Sequence, residues 1–256
     1  MIIAFLFVLG TIAGSFMNVC IYRLPRKESV VRPPSHCPSC GKGIAWFDNI
    51  PVFSFLILKG KCRACKEKIS PRYLFVEILS GVVCVLLFLR FNLAPEFFIF
   101  WYLLSALTVI SFVDFQIQEI PDEITLSGII LGLLAAALYP PLMGKVKILP
   151  SVLVSFLGVI AGGGSIYVLG FLGEFIFKKE AMGGGDVKLM AMIGAFLGWK
   201  LALFTFFLAP FFGSIAGIAL KIKEGREVIP YGPYLSLAAV VAIFFGDEIL
   251  KKLFLF

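Results

Sequence analysis

Apolar residues fall in long uninterrupted runs separated by short polar joints. The first run covers residues 2–22. After a polar stretch at 23–72, further runs cover 73–89, 97–114, 123–139, 150–172, 187–199, 201–220 and 234–250. Most approach the 20 or so residues that a helix needs to cross a hydrocarbon core roughly 30 Å thick. Continuous apolar runs, as opposed to ten-residue alternating ones, exclude a membrane β-barrel. Lipid leaves the helix as the other spanning structure, because every backbone group must be satisfied internally. The pattern therefore predicts an all-α polytopic membrane protein with about eight transmembrane helices. The run at 187–199 is short and flanked by glycine, so a partly re-entrant segment and seven crossings stay open.

Composition agrees with this pattern. The chain is 60% hydrophobic and 15% charged, with a mean hydropathy of +0.99, whereas soluble domains run nearer half apolar and a quarter charged. The net charge of +7 is distributed by side. Seventeen of the 23 Lys and Arg lie in the loops at 23–72, 173–188 and 221–226, and the six others, Arg90, Lys145, Lys147, Lys200, Lys251 and Lys252, lie on the opposite side. The positive-inside rule makes the 23–72 loop cytoplasmic and turns both termini outward. No Lys or Arg precedes the first run, and Arg23, Arg26 and Lys27 follow it. It is accordingly expected to be an uncleaved first span rather than a signal peptide. No basic face interleaved with aromatics appears, so nucleic acid is not an expected partner.

The organisation predicted is a first span at 1–22, a cytoplasmic four-cysteine domain at 23–72, and a membrane domain at 73–256. Within the loop, HCPSC and KCRAC supply Cys37, Cys40, Cys62 and Cys65. Two CxxC turns at this separation can close a tetrahedral thiolate site for zinc, and a cytoplasmic location disfavours disulfides. Four cysteines fill the coordination shell, which points to a structural metal and not a catalytic one. Cys20 and Cys84 lie in apolar runs and read as packing residues.

Two acids stand out. A charge inside a span costs at least about 2.5 kcal/mol, so each asks for a reason. Asp114 is flanked by Phe112, Val113 and Phe115, with no basic residue before Lys145. Asp186 follows three glycines, Gly183, Gly184 and Gly185, which permit positive φ and close backbone approach. Asp114 closes a run that travels inward and Asp186 opens one that leaves the cytoplasm, so both belong at the cytoplasmic boundary. Brought together, two carboxylates share a proton and can activate water with one member while protonating an amine with the other. A helix cap at Asp186 and a lone interfacial acid at Asp114 are the plain structural alternative. Glu77 suits pairing with a loop cation, and Asp122 suits capping of the fourth span.

The chain also resembles the bacterial type IV prepilin peptidases, membrane aspartyl proteases of the GxGD type. The resemblance rests on GSFMNVCIYRLPR (14–26), the two CxxC pairs, WFDNIPVFSF (46–55), SPRYLFVEILSG (70–81), DFQIQEIPDEIT (114–125), GGGDVKLMAMIGA (183–195) and PYGPYLSLA (230–238). It implies that Asp114 and Asp186 are the catalytic aspartates, with Gly183 and Gly185 the glycines of the GxGD loop. It implies cleavage of a short basic leader from type IV prepilins or pseudopilins at the cytoplasmic face of the bacterial inner membrane, at a Gly–Phe type of bond. It also implies N-methylation of the new terminus with S-adenosylmethionine, and Gly60 and Lys61 match a site implicated in that methylation. Two other classes stay open at this level. A proton-coupled transporter would use Asp114 and Asp186 as proton sites, and a zinc-ribbon membrane scaffold would tolerate substitution of both.

Overall fold

A computed structural model of the chain describes residues 1–178, 182–224 and 230–254. The apolar runs form helices: α1 (Ile2–Arg23), α3 (Pro71–Phe91), α4 (Pro95–Ile117), α5 (Asp122–Leu138), α6 (Ile148–Phe177), α7 (Gly184–Glu224), α8 (Gly232–Val241) and α9 (Asp247–Phe254), with the short α2 (Phe53–Ile57) inside the polar loop. A π-helical turn, Ala242–Gly246, joins α8 to α9. Their ends follow local chemistry. α1 gives way at Pro25. α3 begins with Pro71 at its first position, and the Ser70 hydroxyl caps it by accepting the Arg72 N–H; both are favoured there because the first helical N–H groups lack carbonyl partners.

Among the described residues, six helices are long and apolar enough to cross a membrane by length and composition. α5, at 17 residues, is a slightly shorter apolar helix. α7 is two limbs: Gly198 interrupts it at φ 72° and ψ 172°, a conformation that only glycine adopts without strain. The first limb runs antiparallel to α6, because Gly158 abuts the Gly194 backbone and Gly162 abuts the Met190 carbonyl. Beyond Gly198, Leu203 and Phe207 border the same groove as Ile160, Gly164 and Val168, and Gly213 meets the rings of Tyr231 and Tyr234. The second limb has turned back along the first. Counting its limbs separately gives the eight apolar helical segments that the sequence pattern anticipates. At 1.5 Å per residue, residues 184–197 rise about 21 Å, less than the roughly 30 Å of a full hydrocarbon core.

The chain divides into two compact units, Met1–Val109 and Ile110–Phe256. In the first, α1 lies against α3 through small residues. A Cβ on Gly10 would stand 2.7 Å from Gly81 Cα, and one on Gly14 would stand 2.7 Å from Glu77 Cα. Such close approach lets helices associate in lipid, where the hydrophobic effect gives no help. At the loop end of the pair, Asn18 donates to the Tyr73 carbonyl. The buried Arg23 gathers the start of the loop by donating to the carbonyls of Ser29 and Pro33.

In the second unit, α7 is central. α6 and α5 pack on its first limb, Gly128 and Gly132 of α5 lying against Met192 and Ala195. Ser155 donates to the Ala195 carbonyl at 2.6 Å, and Ser151 to the Ala136 carbonyl at 2.7 Å. These bonds satisfy hydroxyls that would otherwise cost free energy in an apolar interior.

Candidate functional site

Asp114 occupies the last turn of α4 and is 5% exposed. Gln118 ends that helix in the left-handed region, its N–H donating to the Asp114 carbonyl. Ile120 and Pro121 then carry the chain to α5. Asp114 Oδ2 accepts the backbone N–H of Gly232, the first residue of α8, at 2.9 Å. The approach depends on glycine, since a Cβ there would lie 2.8 Å from that same oxygen.

Asp186 is the third residue of α7, and its N–H donates to the Gly183 carbonyl at 3.1 Å. It therefore lies within the first turn of the helix, not at its cap. It lies within electrostatic reach of Asp114. Ile120 connects the two acids sterically: its Cβ would be 2.9 Å from a Cβ on Gly185, and its Cδ1 3.4 Å from one on Gly232. Of the glycines before Asp186, Gly185 thus serves close approach. None of Gly183, Gly184 and Gly185 adopts the positive φ that the sequence permits. Gly184 faces open space.

Neighbouring groups complete the picture. Tyr231 precedes Gly232, and burial, reinforced by the Asp186 charge, pushes its hydroxyl up to about 12. It stays a neutral donor beside the acids. Asp122 does not cap α5. It is the first helical residue, after Pro121, and both its carboxylate oxygens accept from Lys188 Nζ at 2.7 Å. That pair pins the start of α5 to α7 two residues beyond Asp186. Glu77 accepts the Val52 N–H at 2.7 Å. Gly232, Tyr231 and Ile120 were not singled out from the sequence. The signal available was the PYGP run opening the last apolar segment, where a Gly–Pro pair at a helix start marks close backbone approach.

In the first unit, the four cysteines form two matching turns. The Cys37 N–H donates to the Lys42 carbonyl and the Cys62 N–H to the Glu67 carbonyl, while Gly41 and Lys66 return N–H bonds to the carbonyls of Cys37 and Cys62. Each turn closes with a two-residue antiparallel bridge, His36 with Gly43 and Lys61 with Lys68. The four Sγ atoms lie within 4.8 Å of one another, with Cys37 and Cys65 3.8 Å apart. A tetrahedral zinc with Zn–S bonds of about 2.3 Å has S···S edges of about 3.8 Å, so the four thiols fit such an ion. The N–H groups of Cys65 and Ala64 hold the Cys62 thiol down to about 7, while Cys65 is pushed the other way, up to about 11. Gly60 and Lys61 sit just before this second turn: Gly60 donates to the Phe55 carbonyl, and Lys61 to that of Leu58.

The fold and site thus define a multi-pass membrane protein with a buried Asp114 beside a half-buried Asp186 in one unit and a four-thiol cluster in the other. Residues 8–91 match the model of the bacterial peptidase A24 N-terminal domain, and residues 101–218 match that of the type IV leader peptidase family. The chain is 37% identical to a prepilin leader peptidase/N-methyltransferase of Myxococcus xanthus, over 87% of this chain and 64% of that protein. It is 32% identical to the protein of that name from Pseudomonas aeruginosa, over 95% of this chain and 90% of that one. The Neisseria gonorrhoeae counterpart is 31% identical, over 94% and 90%. No solved structure matches. The chain belongs to the type IV leader peptidase family, a family of enzymes.

Proposed function

We propose that this protein removes the basic leader from type IV prepilins or pseudopilins and then N-methylates the exposed terminus. The observation that carries the peptidase reading is the meeting of Asp114 and Asp186 at one end of their helices, with Gly232 donating to Asp114. Because Asp114 Oδ2 is engaged by an N–H, its other oxygen faces an attacking water and takes the water's proton. The water oxygen bonds to the scissile carbonyl carbon. Asp186, protonated, gives its proton to the nitrogen as the C–N bond breaks. The exchange leaves a carboxyl-ended leader and an amino-ended pilin, with Asp114 holding the proton it took and Asp186 ionised. Proton transfer between them resets the pair. Gly183 and Gly185 keep side chains away, so that an extended peptide can reach the carboxylates.

Cys37, Cys40, Cys62 and Cys65 hold a structural zinc ion, which supplies cross-linking of the loop and no step of the reaction. S-adenosylmethionine supplies an electrophilic methyl group for the new amine. Gly60 and Lys61 are the residues to which the loop's part in methylation is assigned. The positive-inside distribution places the cysteine loop and both aspartates at the cytoplasmic face of the bacterial inner membrane, with both termini outside. The domains are then 1–22, 23–72 and 73–256.

The test is incubation of the purified protein in lipid with a prepilin and methyl-labelled S-adenosylmethionine. The expected outcome is a product shortened by its leader and labelled at its new N-terminus. Intact prepilin combined with pH-driven flux into proteoliposomes would replace the peptidase with a transporter. Cleavage without label would remove the methyl transfer alone.

A further inference from the structure

Between the two cysteine turns lies a stretch that neither the thiols nor the carboxylates use. Trp46, Phe47, Ile50, Phe53, Leu56 and Ile57 are all exposed, Trp46 by 81% and Ile57 by 73%. A contiguous apolar patch on an otherwise polar loop marks an interaction site.

Much of the backbone beneath it is paired within the loop. Asp48 donates to Ala45, Phe53 to Pro51, Ser54 to Ile50, Leu56 to Val52, Leu58 to Ser54 and Gly60 to Phe55. The Ser54 hydroxyl donates to the Phe47 carbonyl. The one carboxylate of the stretch, Asp48, is held by Arg63 through two bonds of 2.6 and 2.7 Å. Apolar side chains outside and internally paired polar groups inside are what an acyl-chain environment demands.

Depth is set by the bond from Val52 N–H to Glu77 Oε2. α3 has 21 residues, so it rises about 31 Å, matching the hydrocarbon core, and Pro71 stands at the edge of that core. Glu77 is about 9 Å further along. Val52 is therefore drawn below the level at which α3 enters the membrane, and it holds φ 64° and ψ −54° there, an outlying conformation for a β-branched residue. Lys59 and Lys61 follow the patch directly. With Lys42, Arg63, Lys66 and Lys68 they outnumber the loop's acids near it, Asp48 and Glu67. Long cationic side chains of this kind reach from an apolar stretch to anionic headgroups.

We propose that residues 46–57 are an interfacial wedge, inserted among the headgroups and upper acyl chains of the leaflet on the loop's side, with the lysines at an anionic headgroup layer. The wedge, together with Arg23, holds the cysteine cluster at the membrane surface.

The experiment uses the full-length protein in nanodiscs of phosphatidylcholine and phosphatidylglycerol. A Trp101→Phe/Trp199→Phe variant leaves Trp46 as its tryptophan. Lipids brominated near the carbonyl end of the acyl chain should quench Trp46 several-fold more than aqueous iodide does. In parallel, wild-type protein with a photoactivatable acyl-chain phospholipid should carry lipid adducts on the 44–58 peptide, which keeps the test independent of how the variant folds. Efficient iodide quenching with no adduct on that peptide would overturn the proposal. So would shielding that appears only when a prepilin is added, since the patch would then be a protein dock. Trp46 quenching unchanged in pure phosphatidylcholine would overturn the role given to the lysines.

Discussion

The two chemistry-bearing regions are built on opposite principles. The thiol cluster is made of two short turns, each closed by its own backbone bonds within seven or so residues, and the turns repeat one geometry. The carboxylates belong to helices far apart in the chain, and they meet because glycines at three positions make room. Gly185 admits Ile120, Gly232 admits Asp114, and Gly198 folds α7 back so that Gly213 reaches the level of Tyr231. A local site survives disturbance of the surrounding helices. A site assembled by packing does not.

The sharpest way to test that contrast is to remove the carboxylates themselves. Asp114→Asn or Asp186→Asn should lower prepilin cleavage by at least about a thousandfold, since acid–base partners acting as a unit fail together. Metal content and membrane insertion should be unchanged. Full cleavage by either variant, measured by mass on the purified protein, would sink the two-aspartate mechanism.

A smaller loss should come from packing alone. Gly232→Ala places a methyl group 2.8 Å from Asp114 Oδ2. Relieving that contact must shift the carboxylate, and a misplacement of about 1 Å costs on the order of a hundredfold in kcat, with KM little changed. Gly213→Ala is the matched control, because its Cβ would make ordinary contact at 3.6 Å with Tyr234. Equal effects from the two variants would show that the Gly232 amide does not position Asp114.

On the other side, Cys62→Ser or treatment with a strong chelator should abolish bound zinc, read by elemental analysis, and lower the unfolding temperature of the loop. Cleavage should remain measurable, because the acids lie in a different unit. Loss of cleavage equal to that of Asp114→Asn would erase the distinction between a local and a packed site.

The smallest effect concerns the pair formed by Asp48 and Arg63. The guanidinium's hydrogen bonds hold the Asp48 carboxyl below the usual aspartate range. A depressed folded value means that the stabilisation is complete above about pH 4, the unfolded value, and is lost as pH falls through the folded one. With the Arg63 side chain 56% exposed, Asp48→Asn should cost well under about 1 kcal/mol. The difference from wild type in thermal unfolding should vanish in acid. A difference that persists there would assign the effect to packing.

Much of this was legible in the residues. Apolar run length depends on bilayer thickness and nothing else, so the helices fall close to the runs, and α5 and the two limbs of α7 are found where the pattern puts them. Spacing within CxxC turns is local geometry, so the four thiols converge as their positions imply. The unpaired acids in apolar surroundings were visible as costs needing a reason. Their partners were not: Asp122 reads as a helix cap, yet it binds Lys188, 66 residues away. The three glycines before Asp186 read as permitting positive φ or close approach; none takes the positive φ, and Gly185 alone leaves room for Ile120.

Sequence alone thus determined the class of protein, the number of apolar segments, the clustering of the four thiols and which two acids stand out, because each depends on composition or on near neighbours. Tertiary structure decided what surrounds them: the reversal at Gly198, the Gly232 amide on Asp114, the phenol of Tyr231 beside Asp186, and the descent of Val52 to Glu77. Those contacts depend on which helix faces meet, and helix faces in lipid are selected by fit between small residues, which no periodicity along a uniformly apolar run records.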